Sequence, residues 1–139
     1  MVIMSVDYGD TRTGVAVCDK FEMLASPVTV ITEKRAEVLS KKIAELALEK
    51  KAQKLILGLP KNMDGSEGFR AEACRKFAEI LKTDSQLEVD FQDERLTTVS
   101  AHNALNVTNT RGKKRKEIVD AVSAVIILED YLRKQKLTK

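Results

Sequence analysis

Along this chain, short runs of consecutive apolar residues alternate with longer stretches in which apolar positions recur every three or four residues. The first run, Val2–Asp7, predicts a strand buried on both faces. Tyr8–Thr13 reads as a turn, Gly14–Asp19 as a second strand and Met23–Ile31 as a third. Connections this short predict an antiparallel meander. Glu33–Lys51 carries Val38, Leu39, Ile43 and Leu46 at helical spacing, so it predicts a helix with one buried face. "KLILGLP" (Lys54–Pro60) predicts a fourth strand, stopped by Pro60. The loop "KNMDGSEG" leads into a helix from about Ser66 to Lys82, with Asp64 and Glu67 spaced as a capping box. Leu87–Asp93 predicts a fifth strand, and "LTTVSAHNAL" a short helix N-capped by Thr97. A polar, basic loop follows over Asn106–Lys116, then a final helix from Glu117 to about Lys134.

This order implies an α/β mixed sheet of five strands, an antiparallel three-strand meander plus two parallel strands, flanked by helices. Right-handed crossovers make the first strand central. In such sheets ligands collect beyond the carboxyl ends of the parallel strands. Three acids fall near that edge: Asp7 ends the first strand, Glu94 ends the fifth, and Asp120 lies in the first turns of the last helix. No repeat, low-complexity tract or composition break divides residues 1–139, so a single domain is expected.

Composition narrows the chemistry. The chain is 43% apolar and 32% charged with a net charge of +3, so attraction to a polyanion has to come from local clustering. The most apolar stretch, Ala121–Leu128, is far shorter than a membrane span. The N-terminus enters a strand directly, with no basic leader segment. Cys18 and Cys74 lack metal spacing and read as two buried thiols in a reduced cytoplasm. With His102 as the only histidine, hydrolytic chemistry must rest on carboxylates, hydroxyls or metals.

"VDYGDTRTGVAV" (residues 6–17) tests the phosphate-loop alternative. Gly9 and Gly14 have that spacing, but Val15 and Ala16 stand where lysine and a hydroxyl residue are needed, and a strand follows instead of a helix. The carboxylates carry more. Asp7 sits where the backbone turns away from the sheet, a place where aspartate also serves simply to hold the turn. Glu94 lies in "DER", where a salt bridge of Asp93 or Glu94 with Arg95 or Arg70 is the plain reading. Asp120 precedes "AVSAVIIL" on a helix apolar on most sides, where an unpaired buried acid is costly. Helix-dipole stabilisation and a cation shared with Asp7 would both offset that cost. Converging carboxylates without histidine suit Mg²⁺ or Mn²⁺. A pair of such ions can activate water against a phosphodiester. "RGKKRK" (Arg111–Lys116) has five basic residues in six just ahead of Asp120, a solvated loop by itself but a phosphate clamp beside an acidic cluster. Six aromatic residues are too few for base stacking in the manner of RNA-recognition motifs.

"VDYGDTRTGVAV", "LILGLPKNMDGSEG", "DERLTT" and "KKRKEIVDAVSAVIILEDYL", in that order and spacing, resemble the YqgF family, also called RuvX, over nearly the whole chain. The resemblance implies an RNase H-like fold, divalent-metal nuclease activity in the bacterial cytoplasm, and maturation of the 5′ end of small-subunit rRNA. By matching position it implies Asp7, Glu94 and Asp120 as metal-binding catalytic acids, with Mg²⁺ or Mn²⁺ as cofactor. Gly9, Arg12 and Gly14 would shape the first turn, with Arg12 touching substrate phosphate. Asn62, Asp64, Gly65 and Ser66 would form the loop at the mouth of the site. Lys61, Asn62 and Arg95 join Arg12 and the basic run Arg111, Lys113, Lys114, Arg115 and Lys116 as candidate nucleic-acid contacts. Lys61 and Phe69 depart from the family pattern, which has a small apolar residue and often proline there. In related resolvases the second acid ends the fourth strand, whereas here that strand ends "GLPKN" and Glu94 replaces it from the fifth.

The expected partner is precursor rRNA or the small subunit, with branched DNA as the alternative, no membrane, and a monomer or weak dimer. A junction resolvase would use the same acids but needs two symmetric sites, and no heptad seam marks a dimer. A sugar-kinase or actin-like half-domain also opens on an acidic, glycine-containing hairpin, but needs two domains where this chain has room for one. A non-catalytic rRNA-binding assembly factor on the same fold is the third alternative.

Overall fold

The computed structural model describes residues 1–60, 68–93 and 112–137, with side chains in the last span from 122 to 135. Its strands are β1 (Ile3–Asp7), β2 (Arg12–Cys18), β3 (Ala25–Thr32), β4 (Lys54–Leu59) and β5 (Glu88–Asp93). Its described helices are α1 (Ala36–Glu49), α2 (Phe69–Ser85) and α3 (Gly112–Leu137). The strands form one sheet in the order β3-β2-β1-β4-β5. β1–β2 and β2–β3 are antiparallel, while β1–β4 and β4–β5 are parallel, so the expected meander with two added parallel strands is what forms.

β1 is apolar almost throughout because both faces of the sheet are covered. Met4 and Val6, with Leu55 and Leu57 of β4, pack against Leu39 and Ile43 of α1 and Cys74, Phe77 and Leu81 of α2. Ile3 and its neighbours Ala16, Cys18 and Ile56 pack against α3 through Ala124, Ile127, Leu128 and Tyr131, residues three or four apart on one helical face. Cys18 and Cys74 are free thiols buried one in each core, and burial pushes the Cys18 thiol up. No described helix is long and apolar enough to cross a membrane.

Three boundaries differ from expectation. β2 starts at Arg12, which pairs with Thr32, so Arg12 belongs to the sheet and not to the turn. α2 starts at Phe69 with Gly68 as its N-cap, later than the expected start near Ser66, and the expected Asp64–Glu67 box lies outside the described residues. α3 starts at Gly112, which puts Lys113–Lys116 on the helix and Asp120 in its third turn. Lysine and arginine are good helix formers, and nothing from Lys113 onward breaks the helix. The dipole effect fades beyond the first turn, so it contributes little at Asp120.

The turn between β1 and β2 is held from three sides. The Gly9 amide donates to Thr13 Oγ1 at 3.2 Å. Arg70 of α2 donates to Asp10 Oδ1 at 2.6 Å and to the Tyr8 carbonyl at 3.3 Å. The Tyr8 ring stacks on Phe77, with centroids 4.3 Å apart and planes 5° from parallel. Glycine is required at position 9 because a Cβ there would overlap the backbone carbonyl of Arg12. Backbone cannot swing aside as a side chain can, so Gly9→Ala must open the turn. The expected destabilisation is about 1–3 kcal/mol, the range for overpacking. Urea unfolding checks it, and an unchanged midpoint would show that the turn yields freely.

Candidate active site

Asp7 is the last residue of β1 and is half-buried. Alternation along β1 puts it on the same face as Ile3 and Ser5, the face covered by α3. In the antiparallel partner it stands opposite Gly14. On the other side, Val6 pairs with Leu57, so the next β4 residue, Gly58, lies beside Asp7. Asp7 is therefore flanked on both neighbouring strands by residues without side chains. The sequence reading marked Gly14 as a turn residue and passed over Gly58, since its significance lies only in the pairing.

Two more polar residues reach this face and edge. Arg12 lies two residues beyond Gly14, on the face shared by Gly14 and Ala16, and is half-buried. Gln92 of β5 pairs with Gly58 and is only 5% exposed. Asp90, two residues before it, meets Tyr131 of α3, which assigns Gln92 to the α3 face as well. Gln92 went unremarked in the sequence because a lone glutamine in a strand carries no signal until its neighbours are known. Asp93, by the same alternation, belongs to the opposite face.

The path of α3 places Asp120. The Ser5 hydroxyl donates to the Ala124 carbonyl at 2.6 Å. Further along the helix, Tyr131 Oη accepts from Lys54 Nζ at 2.6 Å, and Lys54 pairs with Ile3 at the start of β1. Passing from residue 124 to 131 thus leads back toward the beginning of β1, so α3 runs antiparallel to it. Asp120 is one helical turn before Ala124, on the side toward Asp7. Its basic run, Lys113 to Lys116, precedes it on the same helix. Glu94, Arg95, Lys61, Asn62, Arg111, the loop residues Asp64, Gly65 and Ser66, and the helix expected over "LTTVSAHNAL" lie outside the described residues.

The two edges of the sheet differ electrostatically. At the amino end of the parallel strands, Lys54 lies within 3.8 Å of Glu88 and 3.7 Å of Asp90. Burial there pulls the ammonium down, but the Tyr131 hydrogen bond and the two carboxylates outweigh it and leave Lys54 raised. At the carboxyl end, burial is the main cause holding the Tyr8 phenol above its usual range, with the nearby Cys74 and Asp10 adding to it. Tyr8 is a packed, neutral support under the turn that follows Asp7.

Known proteins resemble this chain in sequence or in fold. A Leuconostoc mesenteroides protein named "Putative pre-16S rRNA nuclease" is 43% identical over 143 residues, covering 100% of both chains. A Halothermothrix orenii protein of the same name is 44% identical over 135 residues, 97% of this chain and 96% of its own. Among solved structures, Thermus thermophilus RuvC in complex with a Holliday junction substrate superposes with a TM-score of 0.64 at 12% identity, covering 99% of this chain and 97% of that one. Fowlpox virus resolvase with Holliday junction DNA gives 0.60 at 14% identity, covering 97% and 99%. These two share the RNase H-like fold seen here. The sequence signature of the RuvX family, described as Holliday junction resolvase, matches residues 1–134, and the chain belongs to that family.

Proposed function

We propose that this chain is a divalent-metal-dependent nuclease that hydrolyses phosphodiester bonds in the 5′ maturation of precursor small-subunit rRNA. The observation that carries the reading is the half-buried Asp7 carboxylate, set between glycines at the carboxyl end of the central strand and beneath the helix that bears Asp120. Geometry supports pairing the two acids. Four helical residues separate Ala124 from Asp120, about 6 Å of rise. Two strand residues separate Ser5 from Asp7, about 7 Å. With Ser5 bonded to Ala124 and the elements antiparallel, these lengths match. Full-length relatives named as pre-16S rRNA nucleases favour rRNA over branched DNA.

The donors fit a hard cation. Asp7, Asp120 and Glu94 offer carboxylate oxygens, and the described face at this edge adds only Gln92, with neither histidine nor thiol. Held by these acids, Mg²⁺ or Mn²⁺ would supply Lewis-acid stabilisation of the charge that builds on the scissile phosphate. The chain's residues do the rest. Arg12 neutralises a flanking phosphate from the same face as Asp7. Gly14 and Gly58 leave space for the substrate backbone to approach. Arg70 and Tyr8 fix the turn so that Asp7 stays in place.

The experiment is cleavage of precursor rRNA and of a four-way DNA junction, side by side, with Mg²⁺ or Mn²⁺. The expected result is metal-dependent cleavage of the RNA. Asp7→Asn should slow single-turnover cleavage about a thousandfold, since Lewis-acid stabilisation is worth several kcal/mol, while leaving much of the RNA affinity intact. Full activity in Asp7→Asn would remove Asp7 from the metal site, and absence of cleavage by the wild-type protein with every metal and substrate would end the nuclease reading. RNA binding with no cleavage under any metal would favour an assembly factor, and preference for the junction would favour a resolvase.

The helical setting of the basic run separates its members. Around the α3 axis, Lys113 and Lys116 fall within about 40° of Asp120, whereas Lys114 and Arg115 fall about 120° or more away. Replacing Lys113 and Lys116 with alanine should therefore weaken RNA binding and lower its salt slope by roughly 0.7 to 0.9 per lost contact. The Lys114/Arg115 double alanine variant should change both less. Binding at several salt concentrations checks this, and equal effects from the two pairs would return the run to a diffuse positive patch.

A further inference from the structure

We infer that Ser5 is a positioning residue for the metal site: by holding the Ala124 carbonyl it sets where α3 stops along β1, and so where Asp120 stands relative to Asp7. This rests on the nuclease reading above. Ser5 and Ala124 are both fully buried, and their hydrogen bond is short at 2.6 Å. Serine is an unexpected choice inside a strand whose neighbours Met4 and Val6 are fully buried and apolar. A buried hydroxyl must be satisfied, and here its partner is a carbonyl in the middle of a helix. That carbonyl already accepts the amide four residues later in the helical ladder, so Ser5 occupies its second lone pair. The helix does not need this bond to form. What the bond adds is a fixed distance between helix and strand at one point.

The apolar contacts of α3 and its Lys54–Tyr131 bond hold that distance less closely. Ile127, Leu128 and Leu132 meet Ile3, Ala16 and Ile56 through apolar surface, which resists separation but not small sliding. The Lys54–Tyr131 bond is directional but lies seven residues further from Asp120, between two long side chains. Ser5 is a short side chain one helical turn from Asp120 and two residues from Asp7. Metal ligands must be placed to within about 0.2 Å, so a slide that the apolar contacts tolerate is one that carboxylate ligation does not.

The test compares Ser5→Ala, Ser5→Thr and Ile43→Val in the full chain. Ile43 is buried in the opposite core, against α1, and its truncation supplies a similar loss of stability away from α3. Mn²⁺ affinity is read by electron paramagnetic resonance on each purified protein, with the melting temperature alongside. Ser5→Ala should weaken Mn²⁺ binding by about 10-fold or more, as loss of a group supporting metal ligands does. Its melting temperature should fall no further than that of Ile43→Val. Ile43→Val should keep wild-type Mn²⁺ affinity, and Ser5→Thr, which retains a hydroxyl, should recover most of it. Wild-type Mn²⁺ affinity in Ser5→Ala would overturn the inference, as would equal weakening in Ile43→Val. Asp7→Asn separates the two levels: if it alone abolishes Mn²⁺ binding while Ser5→Ala does not change it, the metal site stands and the positioning role falls. If Asp7→Asn binds Mn²⁺ like the wild type, the metal-site reading falls with it.

Discussion

The packing of β1 on both sides governs the molecule. Its side chains alternate between two cores, Met4 and Val6 into the one under α1 and α2, Ile3 and Ser5 into the one under α3. A slip of one residue would exchange the two sets and put Ser5 and Asp7 among the apolar residues of the other core. Register is thus fixed by burial over the whole strand. Asp7 inherits its direction from that register, and its face is settled before any loop is considered.

Anchoring and candidate chemistry then occupy opposite ends of the same helix. Toward its carboxyl end, α3 is held by apolar contacts and by the Lys54–Tyr131–Asp90 cluster at the amino edge of the parallel strands. A half-buried lysine there keeps its charge because a phenol and two carboxylates surround it. Toward its amino end, the helix passes the carboxyl edge of the sheet, where Asp7, Arg12 and Gln92 gather. Such division is mechanically sensible. Tight packing at one end lets the other hold charged groups near each other without the core having to accommodate them.

Most of the fold was legible because each strand is short, apolar and bounded by a clear stop, and because a buried central strand with crossovers leaves few topologies. The start of α3 was not. Lysine and arginine favour helix, yet five basic residues in six read equally well as a solvated loop, and only packing further along the helix decides between them. Asp7 could be found from its strand end. Gly58 and Gln92 could not, because their meaning comes from the pairing of β4 with β1 and β5, which no local pattern encodes. Ser5 is the sharpest case: its partner is 119 residues away, and within its strand it looks like a mild lapse in hydrophobicity.

Placing the basic run on a helix changes what it can do with a net charge of only +3. In a loop, each lysine would lose backbone and side-chain freedom on meeting a phosphate, and that loss would offset much of the attraction. On a helix anchored at its far end, the backbone is already ordered and the spacing between charges is set. The amino end of a helix also carries the positive end of its dipole, which favours anions. Because α3 runs antiparallel to β1, that end lies beyond the sheet edge, eight residues before Asp120 or about 12 Å of helix. On the proposed nuclease reading, the binding charge and Asp120 would share one ordered helix, while Asp7 would face them from the end of β1.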